Sequence, residues 1–182
     1  MSKNAQVLPI IQFPDPFLRA QAEPVKAVDD DMRELARDMA ATMLAARGVG
    51  LAATQVARGW RVIVAENRTE NPEHPEEPPL SAPLFFFNPT IIDAAKDIVV
   101  REEGCLSMPG VYAPVRRPAQ VTVSGLDMDG KPHEIRAEGL LATCLQHEID
   151  HLDGVLFIDH ISRLRKARLL AKYEKLRTGR PL

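Results

Sequence analysis

The sequence has only two cysteines among its 182 residues, and it contains no apolar run that approaches the length of a membrane span. Its first residues, MSKNAQVLPI, lack the apolar core and the small-residue cleavage site of a secretory signal. These absences predict a cytoplasmic protein with no membrane partner. They also predict no disulfide, because structural disulfides belong to oxidising compartments. At least one cysteine is therefore expected to serve a metal or the chemistry of a site.

Charge is divided unevenly along the chain. Hydrophobic residues make up 45% and charged residues 26% of the sequence, which is ordinary for one globular domain with a core of its own. The formal net charge is −2, but residues 161–182 carry eight Lys and Arg against the single acid Glu174. That segment therefore has a net charge of +7, and the rest of the chain has −9. A basic end on an acidic body predicts a separate partner for that end.

The order of helical and strand patterns predicts an α+β fold. Amphipathic spacing predicts a first helix over 29–47, which Asp29 begins and Gly48 ends. Runs of alternating or β-branched residues predict strands at 60–65 and 84–87, and a hairpin of 119–125 with 133–137 around Asp129-Gly130. The polar segment 67–83 is predicted to be an exposed loop. Helical spacing predicts two further helices, at 139–152 and 162–177.

The stretch HEIDH carries the clearest chemical signal. On a helix, His147 and His151 lie one turn apart on the same face, and Glu148 lies beside them. This spacing is typical of two histidine ligands to one metal ion with a carboxylate placed to move protons. Such a pair needs a third protein ligand, and a catalytic site also keeps a position open for water.

Cys105 is the third ligand that the sequence favours. Alone, a cysteine in EEGCLSMPG is more typical of a buried structural residue, but Gly104 and Gly110 permit close backbone approach to a site. Cys144 lies on the helix that carries the histidines, but about 10 Å below His151 along its axis, which is too far for both to bind one ion. The other histidines, at 74, 133 and 160, offer no regular spacing to the pair.

A third segment, GVGLAATQ at 48–55, places the amide of Gln55 after two glycines. By itself the pattern also fits a helix end followed by a turn with a surface glutamine. It lacks the third glycine and the strand–turn–helix order of a dinucleotide-binding loop.

Together the three segments resemble the peptide deformylase family. Its motifs run G-φ-G-L-A-A-x-Q, E-G-C-L-S and Q-H-E-x-D-H-L-x-G, and they stand here in that order as GVGLAATQ, EGCLS and QHEIDHLDG. The resemblance implies an α+β fold in which small antiparallel sheets surround a central metal-binding HExxH helix, with a helix at the C-terminus. It implies a catalytic domain over 1–160, with 161–182 as a basic helix packed on the same domain.

The resemblance also implies an activity, the removal of the N-formyl group from the first methionine of new polypeptides. In this reaction a metal-bound water attacks the formyl carbonyl, and Glu148 acts as general acid and base. The carbonyl oxygen faces Gln55 and the backbone N–H of Leu106. The implied metal ligands are Cys105, His147 and His151. The positions implied to bind substrate are Val49, Gly50, Gly104, Leu140, Thr143 and Cys144. Of these, Val49, Leu140, Thr143 and Cys144 are implied to line the pocket for the methionine side chain.

Ferrous iron is the metal that the resemblance favours, with zinc, nickel or cobalt able to occupy the site. The expected partners are the N-formylmethionyl nascent chain and, through the basic helix, the ribosome. Glu103 and Arg117 are expected to pair as a support behind Cys105. Arg101 and Tyr112 depart from several relatives near the pocket, which leaves the preference for substrate side chains open.

Other functions remain compatible with parts of the sequence. An HExxH metallopeptidase would need a further histidine or glutamate ligand downstream, and the EGCLS and GVGLAATQ segments argue against it. A structural metal module with a partner-binding tail would need a closed site of four ligands, whereas three good ligands are present. A deformylase-like protein without activity would have no reason to keep Glu148 and Gln55.

Overall fold

The structure, a computed structural model, describes residues 5–69 and 80–179, without the side chains of 68, 69 and 80–82. The described residues form seven strands and three α-helices. The helices are α1 (Asp30–Ala45), α2 (Gly139–Leu152) and α3 (Arg163–Thr178). The strands are β1 (Gly50–Ala52), β2 (Val62–Thr69), β3 (Leu80–Ala94), β4 (Ile98–Cys105), β5 (Met108–Pro118), β6 (Gln120–Leu126) and β7 (Pro132–Glu138).

The seven strands all pair with antiparallel neighbours. Five form a sheet in the order β1-β2-β3-β6-β7, and β4 and β5 form a separate two-stranded sheet. The predicted hairpin is confirmed, because β6 and β7 pair along their whole length. In its turn Asp127 accepts hydrogen bonds from the N–H groups of Asp129 at 2.8 Å and Lys131 at 2.9 Å. Gly130 takes a φ of 76°, which favours glycine. The predicted α+β class is confirmed.

Helix α1 begins as predicted and ends earlier than predicted. The Asp29 side chain accepts a hydrogen bond from the Met32 N–H at 3.0 Å, so it satisfies one of the free donors of the first turn. The helix stops at Ala45 because Arg47 takes the left-handed conformation, with a φ of 55°. The Gly48 N–H then bonds back to the Met43 carbonyl at 2.9 Å, which turns the chain towards β1.

The predicted loop at 67–83 is wrong at both of its ends. Residues 67–69 continue β2 and residues 80–83 begin β3, with Asn67 opposite Ala82. Strand pairing satisfies backbone groups whatever the side chains are, so a polar sequence did not exclude it. Pro83 lies in a part of β3 that pairs with β2 alone in the described structure, where a missing N–H is tolerated. Residues 70–79, including His74, lie outside the described residues.

The five-stranded sheet is covered on both faces by helices. Ile63 and Ala65 of β2 belong to a buried cluster with Leu145 of α2, whereas Val62 and Val64 belong to another with Met39 of α1. Successive residues of a strand point to opposite faces, so one continuous apolar run serves both cores. This sandwiching places α2 in the interior of the protein, next to β1 and β2.

Helix α3 packs on β5 through its two buried side chains, Leu169 and Tyr173. Tyr173 donates a hydrogen bond from its hydroxyl to the Phe13 carbonyl at 2.9 Å, so the helix also contacts the N-terminal segment. Ser162 begins the helix by accepting a hydrogen bond from the Arg165 N–H at 3.4 Å. Within the described ranges, no helix is both long enough and apolar enough to cross a membrane.

Candidate metal centre

Three side chains that could bind a metal converge between α2 and the end of β4. Cys105, His147 and His151 each offer one ligand atom, and these atoms all lie within 4.8 Å of one another. The Cys105 Sγ lies 3.2 Å from the His151 Nε2. Two ring nitrogens and one thiolate suit iron, zinc, nickel or cobalt better than calcium or magnesium. The residues present therefore fit a divalent transition metal, with room for a non-protein ligand.

Cys105 reaches this position because β4 and β5 are joined by a tight turn that breaks their register. The pairing shifts between Gly104 and Cys105, so that Cys105 lies opposite Met108. The Phe13 N–H donates a hydrogen bond to the Ser107 carbonyl at 2.9 Å, so the N-terminal segment stabilises this turn. A Cβ on Gly104 would lie 2.6 Å from the Tyr112 ring, so this ring rests directly on the glycine.

Glu103 supports His147, and Arg117 supports Glu103. The His147 Nδ1 lies 2.8 Å from the Glu103 Oε2, and Arg117 donates to both oxygens of Glu103 at 2.6 and 3.0 Å. The predicted pair of Glu103 and Arg117 is confirmed, and Glu103 makes its contact with the ligands through His147. Glu103 and Cys105 both line the cavity from the end of β4, and α2 brings His147 to that carboxylate.

This contact keeps Glu103 ionised and orients His147. Burial by itself would raise the pKa of Glu103, but hydrogen bonds from His147 and Arg117 outweigh it and lower the pKa to about 2. A carboxylate on Nδ1 leaves the Nε2 of His147 free to face a metal, which is the usual arrangement of a histidine ligand. Burial lowers the pKa of His151 well below its ordinary value and favours a neutral ring that can bind a metal.

Glu148 is a buried carboxyl beside the three ligands. It is 4% exposed, and its Oε2 has no hydrogen-bond partner among the described residues. Burial is the main cause that raises its pKa to about 7. The backbone of β1 approaches it closely at Gly50, where an added Cβ would lie 2.5 Å from the Glu148 Oε1. Glycine at position 50 therefore leaves room for this carboxyl.

The amide of Gln55 is held in one orientation. Its Oε1 accepts the Ala52 N–H at 2.8 Å, and its Nε2 lies 3.4 Å from the Cys105 Sγ and 3.2 Å from the Ser107 Oγ. Gln55 is 1% exposed, so this orientation is not exchanged for water contacts. Its N–H₂ group therefore faces the ligand cluster. Ser107 is a partner of Gln55 that sequence reasoning missed, because the two are 52 residues apart.

A cavity of about 370 Å³ opens beside the cluster. Its lining includes Gln55, Leu106, Cys105, His147 and Glu148. Every residue predicted to bind substrate also lines it, namely Val49, Gly50, Gly104, Leu140, Thr143 and Cys144. All the predicted site residues except His151 therefore line this cavity, and His151 joins them in the ligand cluster through its contact with Cys105.

Cys144 lines this cavity and lies outside the ligand cluster, in agreement with the helix-rise argument. Its Sγ donates a hydrogen bond to the Val49 carbonyl at 3.2 Å, and burial raises the pKa of the thiol well above its ordinary value. A protonated, buried thiol behaves as a small apolar group. The Thr143 hydroxyl donates a hydrogen bond to the Gly139 carbonyl at 3.2 Å. Its methyl group is therefore available to line the cavity.

The mouth of the cavity contains residues beyond those predicted to bind substrate. Arg47 and Pro109 line it, as does the exposed Tyr112. Arg47 carried no signal in the sequence, since only the left-handed turn after α1 brings it to the mouth. Arg101, predicted near the rim, does not line the cavity; its Nη2 lies near Gly139 at the start of α2.

The chain is similar to known proteins in sequence and in structure. A family model described as polypeptide deformylase matches residues 7–167. A peptide deformylase of Mesorhizobium japonicum is 52% identical over 170 residues, which cover 93% of each chain. The crystal structure of peptide deformylase from Ehrlichia chaffeensis matches with a TM-score of 0.86 at 38% identity and covers 96% of this chain and 98% of that one. A Met-Ala-Ser-bound peptide deformylase from Acinetobacter baumannii matches with a TM-score of 0.77 at 37% identity, over 86% and 99% of the two chains.

Proposed function

Because the chain belongs to the peptide deformylase family, we propose that Cys105, His147 and His151 form its catalytic metal centre. Its activity is that of the family, the hydrolytic removal of the formyl group from N-formylmethionine peptides. The family uses a catalytic divalent metal. The convergence of three ligand atoms within 4.8 Å, beside a buried carboxyl on one cavity, is the observation on which this proposal rests.

Ferrous iron is the metal we propose, with zinc, nickel or cobalt as ions that the same ligands could accept. A divalent ion bound here would polarise a carbonyl oxygen and lower the pKa of water to near neutrality. The thiolate of Cys105 would contribute negative charge and an oxidisable sulfur, since thiolates are the form of cysteine that reacts with oxidants. An air-sensitive iron form follows from this composition.

Glu148 is proposed to carry the proton through the reaction. Hydrolysis forms a bond between a water oxygen and the formyl carbon, breaks the bond from that carbon to nitrogen, and releases formate and a free amine. A carboxylate next to the ligands can take the proton from the attacking water and return it to the departing amine. Glu148 is suited to both steps because its free Oε2 faces no competing donor among the described residues.

Gln55 and the backbone N–H of Leu106 are proposed to stabilise the negative charge that develops on the formyl oxygen. The amide of Gln55 has its N–H₂ end turned towards Cys105, and Leu106 lines the same cavity. A donor that is already oriented loses no free energy in turning towards the oxyanion, and each is worth roughly 3 kcal/mol of transition-state stabilisation. The contact from Gln55 to Ala52 supports this role because it fixes the amide.

The apolar wall of the cavity is proposed to hold the methionine side chain. Val49, Thr143 and Cys144 present apolar groups there, and Gly50 and Gly104 bring the backbone close. The Acinetobacter baumannii relative is described as bound to Met-Ala-Ser, a peptide that begins with methionine. A N-formylmethionyl nascent chain is therefore the proposed substrate, and the cytoplasm is the proposed place of action.

The alternatives drawn from the sequence have less support. A structural metal module would need a fourth protein ligand, and the cluster holds three donors among the described residues. A different HExxH metallopeptidase would need a further ligand downstream of α2. His160, the nearest histidine, instead lies 2.7 Å from Asp150.

One assay tests the proposed metal centre. Protein purified without oxygen should release formate from formyl-Met-Ala-Ser, with little release of free amino acids. Removal of the metal by a chelator should abolish formate release, and ferrous or nickel ions should restore it, because the remaining residues supply no equivalent polarisation. Full activity after chelation would reject the metal centre. Cleavage of the peptide bonds instead would favour a metallopeptidase.

The basic helix is proposed as a docking element for the ribosome. Arg165, Arg168 and Lys172 lie exposed on one side of α3, and a surface rich in RNA phosphates attracts such charges with a strong dependence on salt. Deleting the helix would expose the core, because Leu169 and Tyr173 are buried. Charge substitution is therefore the cleaner experiment.

The variant R165Q/R168Q/K172Q should bind ribosomes more weakly and keep its activity on a free peptide. Loss of three phosphate contacts should reduce the slope of log affinity against log salt by about 2 to 3. The matched control R37Q/K96Q/K131Q removes the same charge from exposed positions elsewhere. Co-sedimentation measures the difference, and equal loss in both variants would leave only a nonspecific charge effect.

A further inference from the structure

Arg117 joins two carboxylates on different elements. It lies on β5 and is almost fully buried. Besides its two bonds to Glu103 on β4, its Nη1 donates to the Asp150 Oδ2 on α2 at 2.8 Å. The guanidinium is planar and rigid, so these contacts fix the position of one carboxylate relative to the other. The separation of 33 residues between Arg117 and Asp150 means that only the folded chain makes this bridge.

Asp150 is held from its other side by His160. The His160 Nε2 lies 2.7 Å from the same oxygen of Asp150 that accepts from Arg117. His160 follows the short 3₁₀ helix Phe157–Asp159 and is partly exposed. A continuous series of polar contacts therefore runs from His160 at the surface through Asp150, Arg117 and Glu103 to the Nδ1 of His147.

We propose that Asp150 is a positioning residue for the metal ligand His147, and that His160 holds Asp150 in place for that task. The inference rests on the proposed metal centre, since it concerns how firmly one of its ligands is oriented. Asp150 does not line the site cavity. It acts through Arg117, whose guanidinium keeps the Glu103 carboxylate in contact with the His147 imidazole.

The physical reason lies in the contacts that Arg117 would lose. Without Asp150 the buried Nη1 of Arg117 has no hydrogen-bond acceptor. The guanidinium then lowers its free energy by turning towards water, away from its present position. Each such rotation loosens the two bonds to Glu103, and a loosened Glu103 lets the His147 ring turn. A metal ligand that spends time in other orientations releases its ion faster.

The chain offers a matched control in Asp153. This acid follows α2 and also forms an ion pair with an arginine, since Arg61 donates to its Oδ1 at 2.6 Å. The Arg61 guanidinium also donates to the Pro89 carbonyl, which does not lead to the ligands. Truncation of either acid therefore removes one ion pair with an arginine at the same end of α2, and only Asp150 connects to His147.

The experiment uses the full chain loaded with Co²⁺, whose visible absorption reports its ligands. The rate of Co²⁺ loss to an excess of chelator is measured for the wild type, Asp150→Ala and Asp153→Ala. Partners that contact a metal ligand, as Glu103 contacts His147, typically contribute 10- to 100-fold to affinity, and Asp150 lies two contacts further out, so a smaller effect, about 3- to 10-fold faster loss, is expected for Asp150→Ala. Asp153→Ala should stay near the wild-type rate. Asp150→Asn keeps an oxygen acceptor and should recover part of the difference.

A purely structural role predicts a different result. It would lower the melting temperature of both metal-free variants and leave the Co²⁺ release rate and spectrum of Asp150→Ala unchanged, which would overturn the proposal. If Asp150→Ala does not fold, His160→Ala decides: release about twofold faster supports the series of contacts, because His160 lies one contact beyond Asp150 and contributes less, and a wild-type rate overturns it. Failure of the wild type to bind Co²⁺ would reject the metal centre itself.

Discussion

The Glu148→Ala variant is expected to keep its metal and to lose formate release by at least about 100-fold, the lower end of what a general acid–base contributes. The three ligands remain in place, since Glu148 shares no hydrogen bond with them in the described structure. What disappears is the group that accepts the proton of the attacking water. Alanine leaves a space next to Cys144 and Gly50 that water can enter, but ordinary water is a far weaker base than a buried carboxylate.

The measurement is steady-state formate release by nickel-loaded protein, together with the metal content of the same sample. The loss should lie in kcat, because the contacts that bind the methionine side chain of the substrate are unchanged. Glu134→Ala, an exposed acid on β7, serves as the control for removing one negative charge. Activity above a few per cent in the Glu148 variant with full metal content would mean that another group moves the proton.

The Cys105→Ser variant is expected to lose its metal. A neutral hydroxyl replaces a thiolate, so both the charge and the soft donor are removed from a site with two imidazoles. Loss of a residue that only contacts a ligand weakens metal affinity by up to about 100-fold, and loss of a ligand itself should cost at least that much. Activity on formyl-Met-Ala-Ser should disappear at metal concentrations that saturate the wild type.

Cys144→Ser is the matched control, because it makes the same chemical change at the other cysteine of the site. Its hydroxyl can still donate to the Val49 carbonyl, and its position is outside the ligand cluster. Metal content by elemental analysis should be full in this variant and low in Cys105→Ser. Full metal in both variants would remove Cys105 from the centre, and low metal in both would show that Cys144 matters for binding.

The sequence alone determined those parts of the site that depend on local periodicity. Two histidines four residues apart share a helix face in any α-helix, and the fixed rise per residue excludes Cys144 from their ion. The start of α1 at Asp29 and the hairpin around Gly130 were also predictable, because capping and turn residues act over three or four positions. The remaining predictions came from a resemblance of motifs, whose spacing along the chain says nothing about distances in space.

Only the tertiary structure decided which partners meet across elements. Glu103 and Cys105 are two residues apart on β4, but the docking of α2 decides that Glu103 reaches His147. The bridge from Arg117 to Asp150 and the contact of Gln55 with Ser107 join segments 33 and 52 residues apart. Such contacts are invisible to periodicity because they depend on the relative position of a helix and two strands, which the packing of the whole core sets.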